Sequence, residues 1–216
     1  RESSVYCEIV SHKATWESVA HLNPKGVVLS GGPASVYDPN APMAPTWTYE
    51  RGLPVLGICY GMQVMVHQLG GKVAPGPKKE YGHAVLNQNA PSHPLFSGLP
   101  NSMPVWMSHG DRIVEPPPGF VSLAYTENSP VAATGDEHGM MGIQFHPEVV
   151  HTPDGKALLD NFVHSICGCE RLWTAANVVA SAVTNIKDQV GGGKVICALS
   201  GGVDSAVAAT LVHRAV

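Results

Sequence analysis

Short, wholly apolar runs alternate along this chain with stretches broken by glycine and proline, and that rhythm predicts its elements. Val27-Val28-Leu29 reads as a buried strand running into the tight loop Ser30-Gly31-Gly32-Pro33. Val55-Leu56-Gly57-Ile58, led in by Pro54, reads as a second buried strand. Met62, Met65, Val66 and Leu69 fall at helical spacing, and Gly70-Gly71 stops that helix. From Lys72 to Thr134 the pattern predicts short strands between turns, at Ala84–Leu86, Val121–Tyr125 and Val131–Ala133, with another strand at Met140–Phe145. Lys156 to Cys167 predicts a helix with Leu158, Leu159, Phe162, Val163 and Ile166 on one face.

Thr174 to Val190 has the period of a further amphipathic helix, and Gly191-Gly192-Gly193 breaks it. Lys194–Leu199 then predicts a strand, Ser200–Gly202 a loop, and Asp204 onward a helix. That order is the opening unit of a second α/β domain. The expected division is 1–168 and 169–216. The apolar pattern Ala206, Val207, Leu211, Val212 meets no stop signal, and the chain starts at Arg1 rather than Met, so we expect a piece of a longer protein.

Composition narrows the classes. Of 216 residues 44 % are hydrophobic and 14 % charged, enough to bury a sizeable core. The net charge of -4 offers no basic face for nucleic acid. No apolar run approaches the roughly 20 residues that span a bilayer. Five scattered cysteines suit a reducing cytosol rather than a disulfide scaffold. The pair Cys167-x-Cys169 lacks a second pair at metal-ligand spacing, so no metal site is expected there.

Gly57-Ile58-Cys59-Tyr60-Gly61 lies between a strand and a helix. It is the thiol counterpart of Gly-x-Ser-x-Gly, where the nucleophile sits in a sharp turn and its neighbours at plus and minus two must lack side chains. Cys59 would then open the following helix, whose dipole favours an anion. His146-Pro147-Glu148 ends a strand. Residues i and i+2 of an extended chain face one way, so His146 and Glu148 can share a cleft. The expected roles are Cys59 as nucleophile, His146 as proton carrier and Glu148 as the group that orients the imidazole. The Tyr60 N–H is one expected oxyanion donor; Gly31 or Gly32 is the second, with Gly32 preferred.

These residues resemble the class I (triad) glutamine amidotransferases, over about Val27 to Phe162. The resemblance rests on Gly-Gly-Pro, Gly-x-Cys-x-Gly-x-Gln and Phe-His-Pro-Glu. It implies an α/β fold with a central, mostly parallel sheet flanked by helices, a γ-glutamyl thioester on Cys59, and release of ammonia. It also implies that Gln63 holds the substrate glutamine. The segment Ser108-His109-Gly110-Asp111 would grip its amino-acid end, through Ser108 and Asp111.

Ser200-Gly201-Gly202-Val203-Asp204-Ser205 places bare N–H groups at a helix N-terminus, a recipe for phosphate. Without a lysine it is no P-loop. The plainer reading is a capped turn, with Asp204 or Ser205 as N-cap. The loop resembles that of the N-type ATP pyrophosphatases, which implies ATP as substrate with Mg²⁺ nearby. The two signatures in this order resemble the bifunctional enzymes that aminate xanthosine 5'-monophosphate to GMP. That resemblance implies glutamine, ATP and xanthosine 5'-monophosphate as partners and a homodimer at full length. Their first strand would precede Arg1, and their xanthylate site would follow Val216. Three alternatives stay open: a triad amidotransferase feeding another acceptor, a non-enzymatic module on the same fold, and a thiol hydrolase without partner chemistry.

Overall fold

The computed structural model describes residues 2–216. They form two compact units, one of residues 8–169 and one combining residues 2–7 with 170–216.

The larger unit is built on a seven-stranded sheet. Its strands are β1 (Val27–Leu29), β2 (Val55–Ile58), β3 (Lys72–Gln88), β4 (Ser102–Glu115), β5 (Val121–Tyr125), β6 (Ala133–Gly135) and β7 (Met140–Ile143). Their order across the sheet is β1-β2-β7-β6-β5-β3-β4. The expected α/β sheet flanked by helices is present. Its parallel part is confined to β1–β2–β7, and every other pairing is antiparallel. The central position of β2 explains its four apolar residues in a row: a strand covered on both faces has no polar side.

β1 corrects the expectation of a buried strand. It stands at the sheet edge, paired only with β2, and Val28 is half exposed. The middle of the chain is also more continuous than its turn residues suggest. β3 and β4 form one long hairpin, and the ladder slips between Pro75 and Glu80 to absorb the Pro-Gly-Pro sequence. Proline has no N–H to give to a ladder, so a shift in register is the cheapest way past it. β4 alternates cleanly, with Met103, Val105 and Met107 buried in the core and His109 continuing that face.

Helix α1 (Tyr60–Gln68) follows β2 directly, and its residues through Val66 are all buried. The helix expected over Lys156–Cys167 divides into α2 (Gly155–Asp160) and a π-helical turn, Asn161–Ile166, closed by Cys167 N–H donating to the Phe162 carbonyl at 2.9 Å. The extra residue keeps both Leu158 and Phe162 in the main core with Leu86, Phe96 and Phe145.

The smaller unit holds α3 (Ala175–Val190), capped by Thr174, whose hydroxyl accepts from the Asn177 N–H at 3.3 Å. It also holds α4 (Val203–Ala215). Gly202 is the N-cap of α4, in place of the Asp204 or Ser205 expected. Lys194–Leu199 forms no strand. A strand exists only by pairing, and among the described residues none pairs with this segment; Ile196 is 97 % exposed. Among the described residues no helix is long and apolar enough to cross a membrane.

Candidate active site

Cys59 joins β2 to α1 with φ 51° and ψ -108°, a conformation that costs a non-glycine residue on the order of 1–3 kcal/mol. Two hydrogen bonds keep it there. Its N–H extends the sheet to the Ile143 carbonyl at 2.8 Å, and its carbonyl accepts the Gln63 N–H at 3.2 Å. The flanking glycines are required by space. A Cβ on Gly57 would stand 2.6 Å from the Met62 nitrogen, and one on Gly61 would strike the Leu29 carbonyl. The turn is therefore pressed between α1 and β1 and has no room for either side chain.

His146 follows β7, and its backbone is clamped from two sides. Its N–H donates to the Trp106 carbonyl on β4 at 3.0 Å. The Thr152 hydroxyl donates to the His146 carbonyl at 2.6 Å and accepts the Trp106 N–H at 3.0 Å. His146 Nδ1 lies 2.7 Å from Glu148 Oε1. The far side of the ring faces Cys59. The hydrogen bond to Cys59, then that to Glu148, raises His146 to about 10, against the opposing effect of burial. Burial pushes the Glu148 carboxyl up, but its hydrogen bonds and the charge of His146 bring it below its ordinary value. An imidazolium held between a sulfur and a carboxylate is the arrangement that nucleophilic thiol chemistry uses.

The dyad opens on a cavity of about 570 Å³, whose wall includes Gly32, Cys59, Gln63, Ser108, Asp111 and His146. Tyr60 is the first residue of α1, so its N–H is one of the unpaired donors of the first turn. Gly31 backs the dyad: a Cβ there would lie 3.3 Å from His146 Cε1 and 3.7 Å from Cys59 Cβ. Glu148 stands behind His146, outside the cavity wall. The sequence-predicted residues of this unit thus converge on one place. Ser200–Ser205 belong to the other unit.

Several residues of the site carried no signal of their own in the sequence. Ser35 donates its hydroxyl to Asp111 Oδ2 at 2.6 Å and its N–H to Asp38 Oδ2 at 2.7 Å. Two aspartates and no lysine or arginine line the cavity, which suits a cationic group of the ligand. His109 hydrogen-bonds the Asp111 carbonyl through Nδ1 at 2.8 Å and meets Glu80 through Nε2 at 3.1 Å. Burial pulls His109 down from its ordinary value, against both of those contacts. Glu80 also accepts from Thr126 and Ser129, so the Thr126–Ser129 turn is tied to the strand that carries the cavity wall. Gln144, wholly buried, reaches the cysteine sulfur.

In the smaller unit, the Ser200 hydroxyl meets that of Ser205 at 3.1 Å and accepts the Gly202 N–H at 3.4 Å. Gly201 takes φ +83°, with nothing near the position of a Cβ. The loop is exposed and holds its form through its own hydrogen bonds.

The profile of the glutamine amidotransferase class-I family matches residues 1–166. GMP synthase [glutamine-hydrolyzing] of Dehalococcoides mccartyi strain 195 is 58 % identical over 216 residues, all of this chain and 40 % of that protein. The namesake of Thermomicrobium roseum is 55 % identical over the same length, 41 % of its own. The chain therefore spans about 40 % of the length of these curated relatives. Among solved structures, a GMP synthase component of Thermoplasma acidophilum superposes with TM-score 0.64 at 27 % identity, over 74 % of this chain and 80 % of that one. A glutamine amidotransferase of Thermotoga maritima shares the fold, with TM-score 0.58 at 20 % identity over 73 % of this chain and 82 % of its own. With its cysteine elbow, its histidine–glutamate pair and the family profile across most of its length, the chain belongs to the class-I glutamine amidotransferases.

Proposed function

We propose that the Cys59 site hydrolyses glutamine and that, in the complete protein, the ammonia released aminates xanthosine 5'-monophosphate to GMP at the expense of ATP. One observation carries the hydrolytic half: His146 is held by Glu148 on one nitrogen and hydrogen-bonded to Cys59 from its other side, at the wall of an acidic cavity. The acceptor half is supported by relatives named for that synthesis and by the loop at Ser200–Ser205.

In the proposed course, the α-ammonium of glutamine sits against Asp111 and Asp38 and its carboxamide reaches Cys59. The thiolate attacks the amide carbon, and the negative oxygen is received by the N–H groups of Tyr60 and Gly32. His146 gives its proton to the departing nitrogen. The C–N bond breaks, ammonia leaves, and a γ-glutamyl thioester remains on the sulfur. Water then attacks the thioester while His146 takes a proton from it, and glutamate leaves with the thiolate restored. Glu148 keeps Nδ1 occupied throughout, so Nε2 is the nitrogen that exchanges protons.

The loop of the smaller unit fits a phosphate: N–H groups of a helix N-terminus, two hydroxyls and a glycine with open space at its Cβ position. Ser200, Gly201, Gly202 and Ser205 would hold ATP phosphates, and Asp204 offers a carboxylate to the accompanying Mg²⁺, which neutralises phosphate charge. Both activities suit the cytoplasm, where the nucleotide substrates are.

The test uses the full-length protein with xanthosine 5'-monophosphate and ATP. Cys59→Ala is expected to abolish GMP formation from glutamine and to preserve it from added ammonia. Asp204→Ala is expected to remove synthesis from either nitrogen source. Loss of ammonia-driven synthesis in a folded Cys59→Ala protein would contradict the division of labour. Intact glutaminase with no amination of xanthosine 5'-monophosphate would point to another acceptor.

A further inference from the structure

Gln144 occupies the position two residues before His146, on the strand that delivers the proton carrier. It has no exposed surface. Its Nε2 lies 3.7 Å from Cys59 Sγ. Its Oε1 lies 3.3 Å from Gln63 Nε2, and Gln63 Nε2 lies 3.0 Å from the Asp111 carbonyl. A chain of three hydrogen bonds thus joins β4, α1 and β7 and ends on the sulfur.

The direction of that chain follows from its far end. The Asp111 carbonyl can only accept, so Gln63 must present its NH₂ there. The second N–H of the same nitrogen then faces Gln144, which must answer with its carbonyl oxygen. Gln144 is left presenting its NH₂ to Cys59. A backbone carbonyl on β4 therefore dictates which end of a buried amide meets the sulfur on α1.

The sulfur's other neighbours complete the picture. The Ser108 carbonyl, 3.7 Å away, can accept from a thiol but offers nothing to a thiolate. Gln144 does the opposite. His146, backed by Glu148, is the titratable group against the sulfur from β7, and His109 and Asp111 line the same cavity from β4. Buried amide donors favour the charged acceptor, because a neutral thiol is a poor one.

We propose that Gln144 is a catalytic residue of this site: its side-chain N–H donates to Cys59 Sγ and stabilises the thiolate, and Gln63 acts as the positioning residue that fixes the orientation of the Gln144 amide. The inference rests on Cys59 being the nucleophile of glutamine hydrolysis. It also gives the buried Gln63 amide nitrogen a task apart from holding the substrate.

The experiment is performed on the full-length protein. Alkylation of Cys59 by iodoacetamide is followed by mass spectrometry of the Cys59 peptide between about pH 5 and 9, which separates this sulfur from the other cysteines. Gln144→Met keeps length and volume and removes the donor. Its pH profile is expected to move to higher pH, with the rate at neutral pH falling by about tenfold for each unit moved. Glutamine kcat should fall with it, KM for glutamine should change little, and ammonia-driven synthesis should be untouched. Gln63→Met, which frees the Gln144 amide to turn over, should give a smaller displacement of the same sign. A profile superimposable on the parent's in Gln144→Met overturns the proposal. Should that variant not fold, an unmoved profile in Gln63→Met overturns it instead. If Cys59→Ala still hydrolyses glutamine, the nucleophile assignment fails and this proposal with it. If Cys59→Ala is inactive but the Gln144→Met profile is unmoved, this proposal alone fails.

Discussion

The turn at Cys59 and the turn at Ser200–Ser205 are written in similar local terms: an apolar run, small residues including glycine, then a helix. Their surroundings differ completely. The Cys59 turn is pinned by Ile143 on β7, pressed by α1 and the Leu29 carbonyl on β1, and faced by His146 and Gln144. The Ser200–Ser205 loop is exposed, its apolar run forms no strand, and its contacts are its own hydroxyls and amides. The first is a place where backbone strain can be stored, because packing over-determines it. The second is a donor-rich terminus that needs a phosphate to give it further partners.

The sharpest way to break this comparison is Cys59→Ala. Glutamine hydrolysis is expected to fall by at least about 10³-fold in steady-state assays, since no other group can form the thioester. Next is a matched pair of glycine replacements. Gly61→Ala drives a methyl group into the Leu29 carbonyl and should destabilise the larger unit by about 3 kcal/mol or more in denaturant unfolding. Gly201→Ala meets no atom and carries only the penalty of φ +83°, about 1 kcal/mol. Equal losses would mean that the two turns are equally constrained.

Glu148→Gln sharpens the electrostatic side. It removes one of the two hydrogen bonds that raise His146 to about 10, so His146 must titrate at lower pH. The alkaline limit of glutamine hydrolysis should move toward neutrality, with the rate reduced by about 10–100-fold. The sign for stability follows the raised value. Protonated His146 favours the fold fully below its unfolded value of about 6.5, and the contribution is lost as pH climbs toward about 10. The difference in melting temperature between the parent and Glu148→Gln should therefore shrink across that interval. The smallest effect is expected from Thr152→Val. It removes the hydroxyl shared by Trp106 and His146 and should cost about 1–2 kcal/mol, with a modest loss of kcat.

Much of the site could be read from the order of residues because its chemistry is local. Gly57, Cys59 and Gly61 are a single turn, and their spacing states its steric requirement. His146 and Glu148 are two apart on an extended segment, and the period of a strand aims them together. The apolar runs at β2 and β7 likewise announced strands covered on both faces. Other features had no local mark. Ser35, Glu80 and Gln144 are ordinary residues in ordinary segments, and only partners 46 to 85 positions away make them part of the site.

The same division runs through the fold. Apolar period and glycine punctuation determined where helices and central strands lie, because those depend on neighbours within a few residues. Tertiary structure alone decided that β1 is an edge, that β3 and β4 form one long hairpin through a Pro-Gly-Pro sequence, and that Lys194–Leu199 is no strand. Each of these depends on whether a second segment supplies the hydrogen bonds. A backbone carbonyl at Asp111 governs a sulfur at Cys59 for the same reason: hydrogen-bond direction is set by whatever stands at the end of the chain of donors, and folding chooses what stands there.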